Sequence, residues 1–309
     1  MLILLSELAD EVSGALVGAD VEVSGIAVDS RQVRPGDLFV VQRGAKADGS
    51  AFLPEARRRG AVAACATAPV SGVPTLVVSD PRDVVPVLAA ALHGRPAGAM
   101  RLVGITGTLG KTSTALLIQA ALSATGVPVG VIGSLGVQTG GRAMDTGMTT
   151  PDAPAIHRAL RLMLDAGVAT AVLEVTSHGI ALRRVAGLTF ALGVVTNLVP
   201  DEHLDFHRTP DHYLRTKARF LDMLQDGAPV VINHDDPRVR AMVDDAVLRR
   251  PRTVVAVTCG DDPGAAAAVS GLRTDAAGSA FALEIRRPLP RLDGGALEPC
   301  AVPLVLPVF

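Results

Sequence analysis

The chain has 309 residues, 49% of them hydrophobic and 19% charged, with 29 basic against 31 acidic side chains and a formal charge of -2. This composition excludes an intrinsically disordered chain, and the length fits two domains of ordinary size. No basic run tracks a phosphate backbone, and with no Trp, one Tyr and seven Phe there are few rings to stack on bases, so nucleic acid is not an expected partner. Cys65, Cys259 and Cys300 lie far apart without metal-ligand spacing, and an odd number closes no disulfide framework, which fits a reducing, cytoplasmic setting. Met1 to Leu5 runs straight into Glu7 and Asp10 with no basic segment, so no signal peptide is expected. The longest uncharged run, Gly60 to Ser79, contains Pro69, Gly72 and Pro74 and predicts strand, turn, strand, not a membrane span.

Along the first hundred residues, apolar runs at Val21 to Val28, Asp37 to Val41, Val62 to Cys65 and Thr75 to Val78 alternate with helical stretches near Ser50 to Arg59 and Arg82 to His93. The pattern is α/β. Gly94 to Gly98 is turn-rich and precedes a new strand, Leu102 to Thr106, which places a domain boundary between residues 97 and 98. Beyond it, strand runs at Val127 to Ile132, Thr170 to Val175, Phe190 to Thr196 and Val230 to Asn233 are separated by helical patterns, as parallel βαβ units require. One such helix spans Asp152 to Ala166, with Asp152 as its cap, Pro154 in its first turn, and Ile156, Leu160, Met163 and Leu164 on one face. After Gly260 the pattern weakens, leaving one good strand candidate, Ala280 to Ile285.

Four segments carry chemistry. Gly104-Ile105-Thr106-Gly107-Thr108-Leu109-Gly110-Lys111-Thr112-Ser113 follows a strand and opens a helical stretch, Thr112 to Ala124. Glycines there let backbone N–H groups approach phosphate oxygens, Lys111 can reach the terminal phosphates, and Thr112 can ligate Mg2+. The strict G-x4-G-K-S/T pattern is not met, because Ile105 stands where its first glycine belongs. Leu173-Glu174-Val175-Thr176-Ser177-His178 ends a strand, where open α/β sheets bind ligands; Glu174 is either a solvated carboxylate or an oxygen ligand for Mg2+. Thr196-Asn197-Leu198-Val199-Pro200-Asp201-Glu202-His203-Leu204-Asp205-Phe206-His207 is dense in oxygen and imidazole groups, and reads as polar surface or metal site. Finally, on a helix expected over Asp211 to Leu224, Tyr213, Lys217, Phe220 and Leu224 share one stripe. A lysine in an apolar stripe either snorkels to solvent or is desolvated, and a desolvated amine has a lowered pKa and can react with CO2 to form a carbamate.

These segments together resemble the Mur ligase family. The loop 104–112 is similar to the family's T-G-T-N-G-K-T, with Leu109 in place of the Asn. Glu174 to His178 is similar to E-(V/A)-S-S-H of the tripeptide-synthetase branch. Thr196 to His207 resembles T-N-x-x-x-D-H-L-D-x-H, with one additional residue between Asn197 and His203. Tyr213-Leu214-Arg215-Thr216-Lys217-Ala218-Arg219-Phe220 matches the frame around the family's carbamylated lysine. Upstream, Asp29-Ser30-Arg31, Pro35-Gly36-Asp37-Leu38-Phe39, Gly44, Asp48-Gly49 and Phe52 look like the branch's N-terminal domain, and Thr149-Thr150-Pro151 like its T-T-P loop.

The resemblance implies a small N-terminal α/β nucleotide-sugar domain (1–97) followed by a P-loop ATPase domain with a mostly parallel sheet (98–309). It implies ATP held by Gly107, Thr108, Gly110, Lys111, Thr112 and Ser113, and Mg2+ held by Thr112, Glu174, His203 and carbamylated Lys217. Lys111, Lys217 and His203 would serve catalysis, while Ser30, Thr149, Thr150, Ser177 and Arg184 would contact UDP-MurNAc-L-Ala-D-Glu. The reaction implied is ATP-dependent amide ligation of a third amino acid, diaminopimelate or L-lysine, through an acyl phosphate, in the cytoplasm and without nucleic-acid or membrane partners. The chain ends near Val302 to Phe309, close to where the family continues into a Rossmann-like C-terminal domain, so that domain is expected to be missing or separately encoded. Two alternatives stand beside this reading: a binding module without turnover, and another amide ligase such as a folylpolyglutamate synthetase, against which the Asp29 to Asp37 segment argues.

Overall fold

The computed structural model describes residues 1–42, 49–249, 254–291 and 295–307, and the chain divides into two compact units. The first comprises residues 1–101, 122–171 and 178–188, the second 102–121, 172–177 and 189–309. Gly44 and Asp48 of the N-terminal resemblance lie outside the described residues.

In the first unit a five-stranded sheet runs Ala15–Val17, Thr75–Val77, Ala63–Ala66, Asp37–Val40, Gly25–Ala27. The last four are parallel, and the first is antiparallel to its neighbour. Asp37–Val40 and Ala63–Ala66 are buried at every position, as strands covered on both faces must be, which is why they read as short apolar runs. Helix Pro81–Leu92 begins where the Asp80 carboxylate accepts the Arg82 N–H. Its Val85, Leu88, Ala89 and Leu92 join Leu5, Leu8, Leu38 and Leu76 in one core cluster; burying one such leucine fully is worth about 1.5–3 kcal/mol. The same unit holds an antiparallel meander, Val129–Gly133, Gly136–Thr139 and Arg142–Met144. Helix Ala153–Asp165 is capped as expected: Asp152 accepts the Ala155 N–H at 2.9 Å, and Ile156, Leu160 and Met163 are buried.

Two expectations for this unit change. Val21 to Val28 forms two strands, because Glu22–Val23 pairs antiparallel with Ile3–Leu4 whereas Gly25–Ala27 pairs parallel with Asp37–Val40. Ser24, whose N–H goes to the Gly36 carbonyl, marks the change of partner. Helix Leu5–Glu11 and strand Ala15–Val17 carry no predicted element, since seven residues give barely two turns of periodicity.

The second unit is built on a sheet in the order Thr170–Glu174, Arg101–Thr106, Leu192–Val195, Ala228–Asn233, Val254–Cys259, Ala267–Asp275, Gly278–Ile285, Cys300–Pro307. From Arg101–Thr106 to Ala267–Asp275 neighbours are parallel, and the last two pairings are antiparallel. The expected α/β architecture with a mostly parallel sheet is therefore present. Close packing selects glycine within it: a Cβ on Gly104 would come 2.6 Å from the Phe220 ring and 2.9 Å from that of Phe190. The weak pattern after Gly260 hides two further strands of this sheet, Ala267–Asp275 and Cys300–Pro307, and a separate two-stranded pair, Leu289–Pro290 with Ala296–Leu297. The helix expected over Asp211 to Leu224 ends at Ala218, and a 3-10 turn follows at Leu221–Met223. Phe190 forms a parallel bridge with Leu224, and that extended pairing is incompatible with helix. Among the described residues no helix is long and apolar enough to cross a membrane.

Candidate active site

Strand Arg101–Thr106 delivers the loop 107–110 to the start of helix Lys111–Ala124. Gly107 and Gly110 adopt φ of +137° and +82°, a region that favours glycine. Residues after strand Leu192–Val195 grip this loop. The Thr108 N–H donates to the Asn197 carbonyl at 2.9 Å. The Asn197 side chain brackets the Leu109 peptide, accepting its N–H at 2.9 Å and donating to its carbonyl at 3.2 Å, while the Thr196 hydroxyl donates to the same carbonyl at 2.6 Å. Leu109 itself is 62% exposed, so the loop is shaped by backbone contacts that do not depend on residue 109's side chain. Sequence reasoning quoted Asn197 without a role; its effect on a residue 88 positions away has no local signal.

The Lys111 ammonium donates to the carbonyls of Gly107 and Thr108 at 3.0 and 2.9 Å, and burial lowers its pKa against the pull of Glu174 and Glu202. Thr112 donates to Glu174 Oε2 at 2.9 Å, and Glu174 is 1% exposed. A buried carboxylate beside a hydroxyl offers the hard oxygen donors that Mg2+ takes. Ser113 is exposed.

Lys217 lies on helix Pro210–Ala218, whose start is capped by Thr209 accepting the His212 N–H. The side chain does not snorkel: it is 2% exposed and donates to the Gly107 carbonyl at 2.8 Å, so Lys111 and Lys217 meet on one oxygen. Burial, then the Lys111 charge, pushes the Lys217 amine down to about 7. Its Nζ is 5.1 Å from the centroid of the Tyr213 ring. His203 is exposed, in left-handed backbone with φ of +57°, and its ring centroid is 6.5 Å from that of Tyr213. No group of three or more His, Cys, Asp or Glu side chains suited to a metal exists among the described residues. The expected Mg2+ set therefore depends on Thr112 and modified Lys217 as well as on Glu174 and His203.

In the first unit, Ser30 opens a 3-10 turn capped by Asp29; it is 5% exposed and donates to Glu55 Oε2 at 2.7 Å. Thr149 shares a hydrogen bond with Ser134 at 3.0 Å. The buried Thr150 and the half-buried Arg184 come together, Arg184 donating to the Thr150 carbonyl at 2.9 Å. Arg184 also lines a cleft of about 810 Å³ with Asp29, Gln32, Asp83, Met148 and Arg183. Ser177 belongs to the second unit, buried, with a hydroxyl that has no hydrogen-bond partner among the described residues.

A glycine-bearing loop between strand and helix, with a lysine and a hydroxyl at the helix start, is an arrangement by which an α/β protein can cradle phosphate. Residues 105–288 match the family model described as Mur ligase middle domain, and 22–94 that described as Mur ligase family, catalytic domain; the chain belongs to the Mur ligase family. It is 42% identical to a UDP-N-acetylmuramyl-tripeptide synthetase of Roseiflexus sp. (strain RS-1), over 76% of this chain and 50% of that protein. It is 39% identical to a UDP-N-acetylmuramoyl-L-alanyl-D-glutamate--2,6-diaminopimelate ligase of Chlorobaculum tepidum, over 88% of this chain and 56% of the relative. A solved structure described as a UDP-N-acetylmuramoyl-L-alanyl-D-glutamate--2,6-diaminopimelate ligase shares the fold, with a TM-score of 0.75 at 24% identity, covering 98% of this chain and 59% of that one. The chain thus spans about half the length of the curated relatives it matches.

Proposed function

We propose that this chain forms the ATP-binding and nucleotide-sugar-binding part of a ligase that adds the third amino acid, meso-diaminopimelate or L-lysine, to UDP-N-acetylmuramoyl-L-alanyl-D-glutamate in the cytoplasm. The observation that carries the reading is the meeting of Lys111 and a buried Lys217 on the Gly107 carbonyl of the phosphate-binding loop.

ATP would lay its phosphates against the loop's backbone N–H groups and the start of helix Lys111–Ala124. Lys111 would exchange two neutral carbonyls for anionic phosphate oxygens, a stronger pairing. Because Thr196 and Asn197 already fix the loop, its donors need little reorganisation as charge shifts onto the transferring phosphoryl group. The D-glutamyl side-chain carboxylate would accept that group, and the incoming amine would then displace phosphate. Thr112 and Glu174, with His203 and carbamylated Lys217, would hold Mg2+, which supplies charge compensation between the two anions. With its pKa near 7, Lys217 has a substantial neutral fraction at neutral pH, the form that attacks CO2 and releases a proton. Arg184, half-buried in the cleft, and Ser177, with an unused hydroxyl, suit the anionic peptide and its polar groups.

Calorimetric titration with UDP-MurNAc-L-Ala-D-Glu, with a folate substrate as control, tests the assignment. Saturable binding of the first alone is expected; no heat from a demonstrably folded chain would overturn it. Because the chain covers about half of its relatives, a second reading is a binding module that turns over only with a further domain. Amide formation on adding the C-terminal portion of a relative would separate the two.

A further inference from the structure

We propose that Tyr213 is a positioning residue that ties the phosphate-binding loop to the helix carrying Lys217, so that filling of the loop by a triphosphate and placement of the Lys217 amine are coupled; this rests on the ATP reading above. Tyr213 is fully buried, and its hydroxyl lies 2.7 Å from Thr108 Oγ1, either atom able to donate. The Val199 N–H also donates to that Thr108 oxygen, at 2.8 Å. A buried phenol is costly unless its hydroxyl finds a partner, and a phenylalanine would fill the same space without that demand. One helical turn on, Lys217 places its ammonium over the Tyr213 ring and donates to Gly107, the residue before Thr108. The contacts close a circuit, Gly107 to Thr108 to Tyr213 to Lys217 and back to Gly107. A displacement of the loop that lengthens one of these contacts must be shared by the others.

The chain has no Trp and a single Tyr, so its tyrosine emission reports on Tyr213 alone. Titration with Mg2+ and inorganic tripolyphosphate, which has no adenine absorption, is expected to change that emission saturably. Lys217→Met is expected to cut the change by about half or more, because the Lys217 nitrogen over the ring is held by the Gly107 carbonyl and so moves with the loop. By calorimetry with a non-hydrolysable ATP analogue, Tyr213→Phe is expected to bind about 5–10-fold more weakly, the scale of one hydrogen bond, while its unfolding midpoint stays close to that of the wild type. Thr108→Val should show a similar loss, and the double variant no more than the larger single loss, as expected for one shared contact. Wild-type affinity in Tyr213→Phe, additive losses, or an unchanged emission on saturation would overturn the inference while leaving ATP binding in place. If the wild-type chain takes up neither the analogue nor tripolyphosphate, the ATP reading fails and the inference fails with it.

Discussion

Gly107→Ala is expected to weaken binding of an ATP analogue at least about 30-fold. Two independent costs combine. The backbone at φ +137° is unfavourable for a residue with a Cβ, by about 1–3 kcal/mol. The new Cβ would also run into the Thr196 hydroxyl and come 3.1 Å from the Asn197 nitrogen, and overpacking of this kind costs about 1–3 kcal/mol more. Relief by moving Thr196 would break its 2.6 Å bond to the Leu109 carbonyl, so either response deforms the loop. Gly110→Ala is the control: its φ is +82° but its nearest contacts are at 4.0 Å, so strain acts without a clash and the loss should be several-fold smaller. Calorimetry of the two variants decides the matter, and equal affinities would show that crowding at residue 107 is not what requires glycine.

Lys217→Met should raise stability and remove function together. Burial depresses the Lys217 pKa to about 7, against about 10.4 in an unfolded chain. Between those values the unfolded state binds more protons, so the wild type gains stability as pH rises from about 7 to about 10.4 and keeps the full charging penalty below about 7. Methionine matches the volume without the charge. In carbonate-free buffer the variant is expected to be more stable at pH 6 by about 1–3 kcal/mol, a surplus that shrinks by pH 10. Adding bicarbonate should stabilise the wild type near neutral pH, if the carbamate forms in the folded state, and leave the variant unchanged. Urea unfolding at pH 6, 8 and 10 reads all three effects. Equal destabilisation of the variant at every pH would show that the lysine is a net structural contributor. In an enzyme completed by a C-terminal domain, Lys217→Ala should lose ATP turnover by a factor on the order of 10³, with partial recovery on adding small carboxylates. Wild-type rates there would exclude the carbamate.

The parts of this fold legible in the sequence were those with a local cause. The Asp152 cap, the Pro154 start and the Ile156, Leu160, Met163 face are written within one helix, and the glycines at 107 and 110 announce their own backbone. Lys217 could be singled out because one cation broke an apolar stripe, although the stripe ran past the helix end: nothing local records that Leu224 bridges to Phe190. The antiparallel strands after Gly260 give little signal although Ala267–Asp275 and Gly278–Ile285 pair as a local hairpin, because that Ala- and Gly-rich stretch has little alternation. What spacing could not reveal at the site is its long-range partnerships. Thr112 and Glu174 are 62 residues apart and Lys217 and Gly107 are 110 apart, and only the order of strands in the sheet brings them together. Ser30 shows the same limit: its neighbours predict a turn, but its partner Glu55 lies 25 residues on.

Among the described residues the strand Cys300–Pro307 lies at the end of its sheet order, with Val302, Leu304, Val305 and Leu306 all exposed. An apolar border strand of this kind invites pairing between chains, and Pro303, which lacks an N–H, only partly guards against it. Partly unfolded molecules of this chain are therefore expected to meet one another through this segment before they refold, and heating is expected to end in precipitate. Apparent melting points will then vary with scan rate and protein concentration. Dilute samples, unfolded by denaturant and shown to recover, are the condition under which the free-energy differences predicted for Lys217 can be measured.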